Sequence, residues 1–250
     1  MLRQNQAIDM QLTVLGSSSS GNGYVIQNGE EAIILEAGIT ISAVKKALGY
    51  NIKKVNGCFI SHAHIDHCKH IAYYEKVFPL WANAHTIEVK KLTRAKIAEP
   101  GKGIRAGRWK ILPFRAYHDI PCLGYFINHP EFGNLLFLTD SFMVDSTFKN
   151  VNHLLIECNY SDEALLKAIE AGYTHPSMRR RLMTTHMELK TAAKLINDND
   201  LSQVYTILLL HLSSHNSDTG QFIDAIAKAS GKEIAIAEPG LTIELSNNPY

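Results

Sequence analysis

Ser61-His62-Ala63-His64-Ile65-Asp66-His67 places three imidazoles and a carboxylate within six residues. Such a group fills a core poorly, because a buried polar side chain needs a partner. It suits a cation well, since imidazole and carboxylate are donors for zinc, and also for manganese or iron. The preceding run, Val55-Asn56-Gly57-Cys58-Phe59-Ile60, reads as a buried strand. In extended chain, positions i and i+2 point the same way, so His62 and His64 can converge on one ion. The chain then turns, and Asp66 and His67 on the first turn of the next helix can face a second ion.

The 250 residues are 46% apolar, enough for a real core, and are expected to form one domain over 1–250. Lys and Arg total 25 against 24 for Asp and Glu, so no global charge announces a nucleic-acid partner. An anionic substrate would have to be recognised locally. Met1 to Gln11 is polar and shows no export signal, and no apolar run approaches the ~18–20 residues of a membrane span. Cys58, Cys68, Cys122 and Cys158 are scattered without a CxxC, so a reduced cytoplasmic setting is expected. Cys68, beside the histidines, reads as a small buried residue, with a metal thiolate as the alternative.

Short strands and helices alternate along the chain. Strands are expected at Gln11–Leu15, Gly23–Gln27, Ala32–Leu35, Leu80–Ala84, Trp109–Ala116, Cys122–Asn128, Asn134–Leu138, Leu154–Glu157, Tyr205–Leu210, Glu233–Ala237 and Leu241–Leu245. Helices are expected at Ile39–Leu48, Asp66–Phe78, His85–Leu92, Asp162–Ala171, Leu189–Asn197 and Gln221–Ala229. Gly16-Ser17-Ser18-Ser19-Ser20-Gly21-Asn22 lacks the Gly-Lys-Ser/Thr ending of a P-loop and reads as a tight loop that lets backbone approach a site. Lys96–Gly107 is the most loop-like stretch. Sheets inside and helices outside follow from this order.

Two ions need more ligands than the cluster holds. His118-Asp119, Asp140 and His211 each lie at the end of an expected strand, and His186 precedes a helix. Open α/β sites place their chemistry there. A lone histidine is usually structural, but an acid directly after a buried strand is expensive unless partnered.

These residues together resemble the metallo-β-lactamase superfamily over nearly the whole chain, through HxHxDH, a distant His, an Asp and a final His. Within it the chain is most similar to the YycJ/WalJ group of nuclease-like metallohydrolases, relatives of RNase Z and the PhnP phosphodiesterase. The group's opening motif is matched by Leu15 to Asn22, its Asp-Ala-Gly by Glu36-Ala37-Gly38, its Glu-Ser-Asn by Glu157-Cys158-Asn159, and its late motif by His211-Leu212-Ser213-Ser214-His215-Asn216. The resemblance implies an α/β fold, the four-layer αββα sandwich. It implies one ion on His62, His64 and His118, another on Asp66, His67 and His211, and Asp140 as the bridge. Glu157 is a further candidate to share the site. The ions would be Zn2+, with Mn2+ as the alternative. Glu36 departs from the usual Asp, Thr185-His186-Met187 replaces Gly-His-Leu, and the segment His175 to Arg181 is shorter than its counterpart.

The implied chemistry is hydrolysis of a DNA or RNA phosphodiester by a metal-bridging hydroxide. Asp66 or Asp140 would orient the hydroxide, and His186 would serve the leaving group as the matching histidine does in RNase Z-like enzymes. Two dications less Asp66, Asp140 and hydroxide leave about one positive charge, which favours an anionic substrate. Arg181 matches the group's retained basic position, and Ser213 and Asn216 belong to its late motif, as expected substrate-binding residues. The group also implies a homodimer. The competing readings are a small-molecule phosphodiesterase for a cyclic nucleotide or cyclic phosphate, a lactam, lactone or thioester hydrolase, and a binding module that has lost its ligands. None of the ligand positions is lost here.

Overall fold

Strand β1 (Gln11–Ser18) buries Leu12 and Val14 and exposes the residues between them in part, the period-2 pattern of a strand with one face inward. It pairs antiparallel with β2 (Gly21–Gln27), and β2 with β3 (Ala32–Leu35). The computed structural model describes residues 9–213 and 216–246, and among these fourteen strands form two sheets of seven. The first sheet continues through β4 (Val55–Phe59), β5 (Leu80–Ala82) and the edge strand β6 (Lys96–Ile97). The second is ordered β13 (Ile234–Ile236), β12 (Thr206–Leu210), β11 (His153–Glu157), β10 (Gly133–Leu138), β9 (Cys122–His129), β8 (Trp109–Ala116) and β7 (Ile104–Ala106). Strand β14 (Thr242–Glu244) returns to pair with β1 at the other edge of the first sheet.

Three apolar clusters define the layers. Leu12, Tyr24, Phe59, Trp109, Tyr125, Phe137 and Leu208 pack between the sheets. Outside the first sheet, α1 (Ile41–Ala47) and α3 (Ile71–Val77) bring Val44, Ile71 and Tyr74 onto Ile34 and Cys58. Outside the second, α7 (Leu189–Asn197) and α8 (Thr219–Ser230) set Ala192, Ile196, Phe222 and Ile226 against Leu136, Leu154 and Leu209. This is the αββα sandwich. The remaining helices are α2 (Ile65–Cys68), α4 (Ala84–Val89), α5 (Asp162–Glu170) and α6 (Ser177–Thr185). At one end the sheets are tied by Arg108, which bridges Glu31 at 3.1 Å and Glu131 at 2.8 Å, while His129 Nε2 lies 3.0 Å from Glu31.

Three expectations need correction. The helix expected over Asp66–Phe78 is two helices, α2 and α3, parted at Lys69-His70. Ala37 causes the break, because its N–H donates to the His67 carbonyl at 2.8 Å and its carbonyl accepts from the His70 N–H at 2.9 Å. Those groups would otherwise serve a continuous helix. The Ser/Gly string is mostly strand, since β1 runs through Ser18 and β2 begins at Gly21. Lys96–Gly107 contains β6 and β7, edge strands of two and three residues, too short to show a period.

Gly38 lets the β3–α1 connection pass against α2. A Cβ there would lie 1.7 Å from the Asp66 carbonyl oxygen and 2.6 Å from the Asn22 nitrogen. Both neighbours are backbone and cannot rotate away. Gly38→Ala is therefore expected to cost about 3 kcal/mol or more, the upper range for overpacking. Urea unfolding would show it as a lower midpoint at unchanged slope.

Candidate metal centre

Glu36, Asp140 and His211 stand just after β3, β10 and β12, each with left-handed backbone at φ 67°, 42° and 55°. Non-glycine residues adopt this at a cost of order 1–3 kcal/mol, so their surroundings must hold them there. Hydrogen bonds reach each of them, and at Asp140 Oδ1 the donor is Thr139 Oγ1 at 3.1 Å. The His211 N–H donates to Ser17 Oγ at 2.9 Å, and Tyr24 Oη donates to the same oxygen at 2.8 Å. Ser17 thus fastens the end of β12 in one sheet to β1 in the other. Glu36 accepts from the Ser61 N–H at 3.2 Å.

The three turns aim their side chains at the segment that follows β4. His62, His64, His118 and Asp140 form one group and Asp66, His67, Asp140 and His211 a second, each with donor atoms within 4.8 Å of one another. In the first, His64 Nδ1 lies 3.0 Å from His118 Nε2, and Asp140 Oδ2 lies 3.7 Å from His62 Nε2 and 3.9 Å from His118 Nε2. In the second, His67 Nε2 is 3.2 Å from Asp66 Oδ2 and 3.3 Å from Asp140 Oδ2, and His211 Nε2 is 3.4 Å from Asp66 Oδ2. Two donors each about 2.1 Å from a tetrahedral ion stand about 3.4 Å apart, so both groups have ligand spacing.

The outer ring atoms support the same assignment. His118 Nδ1 lies 2.7 Å from the Thr185 carbonyl, which can only accept, so the ring proton sits on Nδ1 and Nε2 offers its lone pair. His62 Nδ1 is bonded to Ser61 Oγ at 2.8 Å, while His62 Nε2 is buried with no hydrogen-bond partner, as is His211 Nε2. Orphaned buried ring nitrogens that converge on carboxylates fit the ligands of a cation.

The two groups differ in charge. Burial, together with His67 and the neighbouring rings, holds His62 well below the usual histidine range, and burial lowers His64 as well. These rings are neutral at pH 7, the form a metal ligand needs. In the second group burial opposes charge, but charge wins. The carboxylates of Asp140, Asp66 and Glu36 hold His67 well above its ordinary value. Asp140, Asp66 and Glu157 raise His211 to about 10. Asp66 and Asp140 are pulled well below the carboxylate range by these same histidines, against their burial.

A model described as the metallo-β-lactamase superfamily matches residues 18–106, the part of the chain that carries the histidine-rich segment. Over that segment the chain is similar to that superfamily, and the two-sheet sandwich agrees with the likeness. Exodeoxyribonuclease YycJ of Bacillus anthracis is 25% identical over 226 residues, covering 83% of this chain and 84% of that protein. Among solved structures, the metallo-β-lactamase fold protein YhfI from Bacillus subtilis superposes with a TM-score of 0.73 at 21% identity, over 94% of this chain and 99% of that one. A diphosphatase from the PhnP family superposes at 0.66 with 16% identity, over 95% and 98%.

The fold brings all seven expected ligands together. His186 also arrives, in a third group with Asp140, Glu157 and His211, and its ring stacks on His211 at 5.2 Å. Arg181 is exposed on α6. Ser213 and Asn216 bond to each other at 3.0 Å, and Asn216 to Thr174 at 2.8 Å, instead of to the cluster. Ser214 and His215, within the late motif, lie outside the described residues. Cys68 Sγ donates to the Ala63 and His64 carbonyls, so it pins the turn as a thiol. Sequence reading passed over Asn22 as a site residue, although Nδ2 lies 3.2 Å from Asp66 Oδ2 and 3.0 Å from His67 Nε2. The Gly/Ser string beside it was the available signal.

Chelator-treated protein is expected to show a distinctive pH profile. The stabilisation from protonated His211 is complete below its unfolded value of 6.5 and is lost as pH rises through about 10. That from Asp66 and Asp140 is present above their unfolded value of 3.8 and is lost only as pH falls through their depressed folded values. Urea midpoints of metal-free protein should therefore decline across the neutral-to-alkaline range. Metal binding should release protons there, read by calorimetry in buffers of different ionisation enthalpy. A flat alkaline profile with no proton release would contradict this charge assignment.

Proposed function

We propose that the chain is a dinuclear metal-dependent phosphodiesterase acting on DNA or RNA. The carrying observation is the convergence of His62, His64, His118, Asp66, His67 and His211 on Asp140, at ligand spacing. Divalent cations are supported by the donor set, and neutral nitrogen donors at tetrahedral spacing favour Zn2+ over Mn2+. When bound, two such ions would acidify a water and stabilise charge on the attacking and leaving oxygens.

The chain's own groups supply the rest. The Asp66 side chain keeps 14% exposure against 3% for Asp140, so Asp66 meets solvent and orients the attacking water. His186 serves as general acid. Its Nδ1 lies 2.5 Å from Glu157 Oε1, and Glu157 is fixed by the N–H groups of Ser141 and Met187 at 2.8 and 3.2 Å. Burial opposes its charge, but Glu157 and Asp140 keep the His186 pKa raised. A protonated ring held at Nδ1 offers Nε2–H to the departing oxygen. Glu157 adds one negative charge and His186 one positive, so the pair leaves the site's appetite for an anion unchanged. Arg181, exposed on the helix that leads into His186, would contact phosphate.

The nucleic-acid substrate is supported by the exodeoxyribonuclease YycJ likeness. The second reading, a small diphosphate or phosphodiester, is favoured by the PhnP-family likeness and by the absence of an added arm on the sandwich among the described residues. The cytoplasmic assignment rests on four free buried cysteines, and no described helix is long and apolar enough to cross a membrane.

Zinc- or manganese-loaded protein should hydrolyse bis(p-nitrophenyl) phosphate and labelled DNA or RNA, with polymer KM rising steeply with salt as released counterions dictate. Turnover of small diesters alone would remove the polymer reading. His186→Ala should lower kcat about 10²–10⁴-fold at unchanged metal content. In Glu157→Gln, loss of the raising carboxylate should move the alkaline limb of the kcat profile to lower pH, since the acid must be protonated to act. A limb that stays in place would take His186 out of that role.

A further inference from the structure

Each ring of the first histidine group needs its outer nitrogen occupied if its inner nitrogen is to point steadily at an ion. Two rings have buried anchors, His62 on Ser61 Oγ and His118 on the Thr185 carbonyl. His64 has neither, and its side chain is the most open of the three. Its outer nitrogen faces Asp119, whose Oδ1 stands 3.4 Å from His64 Nε2. The same oxygen lies 3.1 Å from His118 Nε2.

We propose that Asp119 is the positioning residue for His64, accepting its Nε2–H so that Nδ1 is held toward the first ion. This rests on the metal-site reading above. The choice between the two rings follows from proton bookkeeping. His118 carries its proton on Nδ1, given to Thr185, so His118 Nε2 has a lone pair and nothing to donate. His64 Nδ1 faces that lone-pair nitrogen at 3.0 Å, so the two inner nitrogens share a cation while His64 keeps its proton on Nε2. Asp119 Oδ1 then has one donor, His64. A carboxylate there also makes the imidazole a stronger donor to the ion.

The position carries a second consequence. Asp119 is 41% exposed and lines, with Arg115, Tyr117, His118 and Pro121, a cavity of about 450 Å³ beside the first group. The anchors of His62 and His118 are sealed inside the sandwich, whereas that of His64 stands at the wall where solvent and substrate arrive. The first ion would therefore be held by two rings with buried anchors and one with an exposed anchor.

The test compares wild type with Asp119→Ala, Asp119→Asn and Asp119→Glu, using Zn2+ in competition with a chromophoric chelator. Asp119→Ala should weaken binding of one equivalent about 10–100-fold and leave the other unchanged. Asp119→Asn, which keeps an accepting oxygen without the charge, should fall between, and Asp119→Glu should restore part of the loss. X-ray absorption should show the same first-shell donors in wild type and Asp119→Ala. The metal-free variants should unfold at the wild-type temperature, because the side chain is exposed. Equal zinc affinity in Asp119→Ala would overturn the proposal, and so would an oxygen lost from its first shell, which would make Asp119 itself a ligand. Wild type that binds no zinc would instead overturn the metal-site reading.

Discussion

Asp140 is a carboxylate buried at the mouth of an apolar sandwich, and the site is arranged around compensating it. One oxygen, Oδ2, lies within 3.9 Å of ring nitrogens from both histidine groups, and Oδ1 faces His211 at 3.7 Å. A buried carboxylate without compensation costs several kcal/mol. Among the side chains the compensation comes from His67 and His211, whose pKa values Asp140 helps to raise. Two dications held by these residues would compensate the same charge and would displace the ring protons. The buried charge of the site thus centres on one side chain and its left-handed backbone.

That geometry depends on both sheets at once. The first sheet contributes Glu36 after β3 and the His62–His67 segment after β4, and the second contributes His118, Asp140, Glu157 and His211 from the ends of β8, β10, β11 and β12. Ser17 joins them by accepting from Tyr24 beside it and from His211 across the interface. Gly38 and Ala37 lock α2 against β3, so that Asp66 and His67 cannot drift with the helix. The centre is as rigid as the sandwich, and the softer element is His64 with its exposed partner.

The legible parts of the sequence were those with a local signature. Strands such as Trp109–Ala116 and the helix Leu189–Asn197 have a period long enough to read, and their observed bounds agree with the expected ones. The histidine segment was legible because clustered imidazoles have few other uses. The αββα order followed from the resemblance and is supported by three separate apolar clusters. Edge strands of two or three residues carry too few positions to show alternation, so Lys96–Gly107 read as loop. The break within Asp66–Phe78 left no mark either, because Lys69 and His70 are ordinary helix residues. It is imposed by Ala37, more than thirty positions away in the chain.

The order of residues by itself determined which groups could serve as metal ligands and which strands would carry them. Donor chemistry is a property of the side chain, and strand ends follow from local apolar pattern. Only the tertiary structure decided which nitrogen of each ring faces inward, that Asp140 reaches both groups, and that Glu157, Asn22 and Asp119 stand beside them. Those outcomes depend on differences of an ångström between atoms from separate sheets. They are set by long-range hydrogen bonds and close packing, which no local run of sequence encodes.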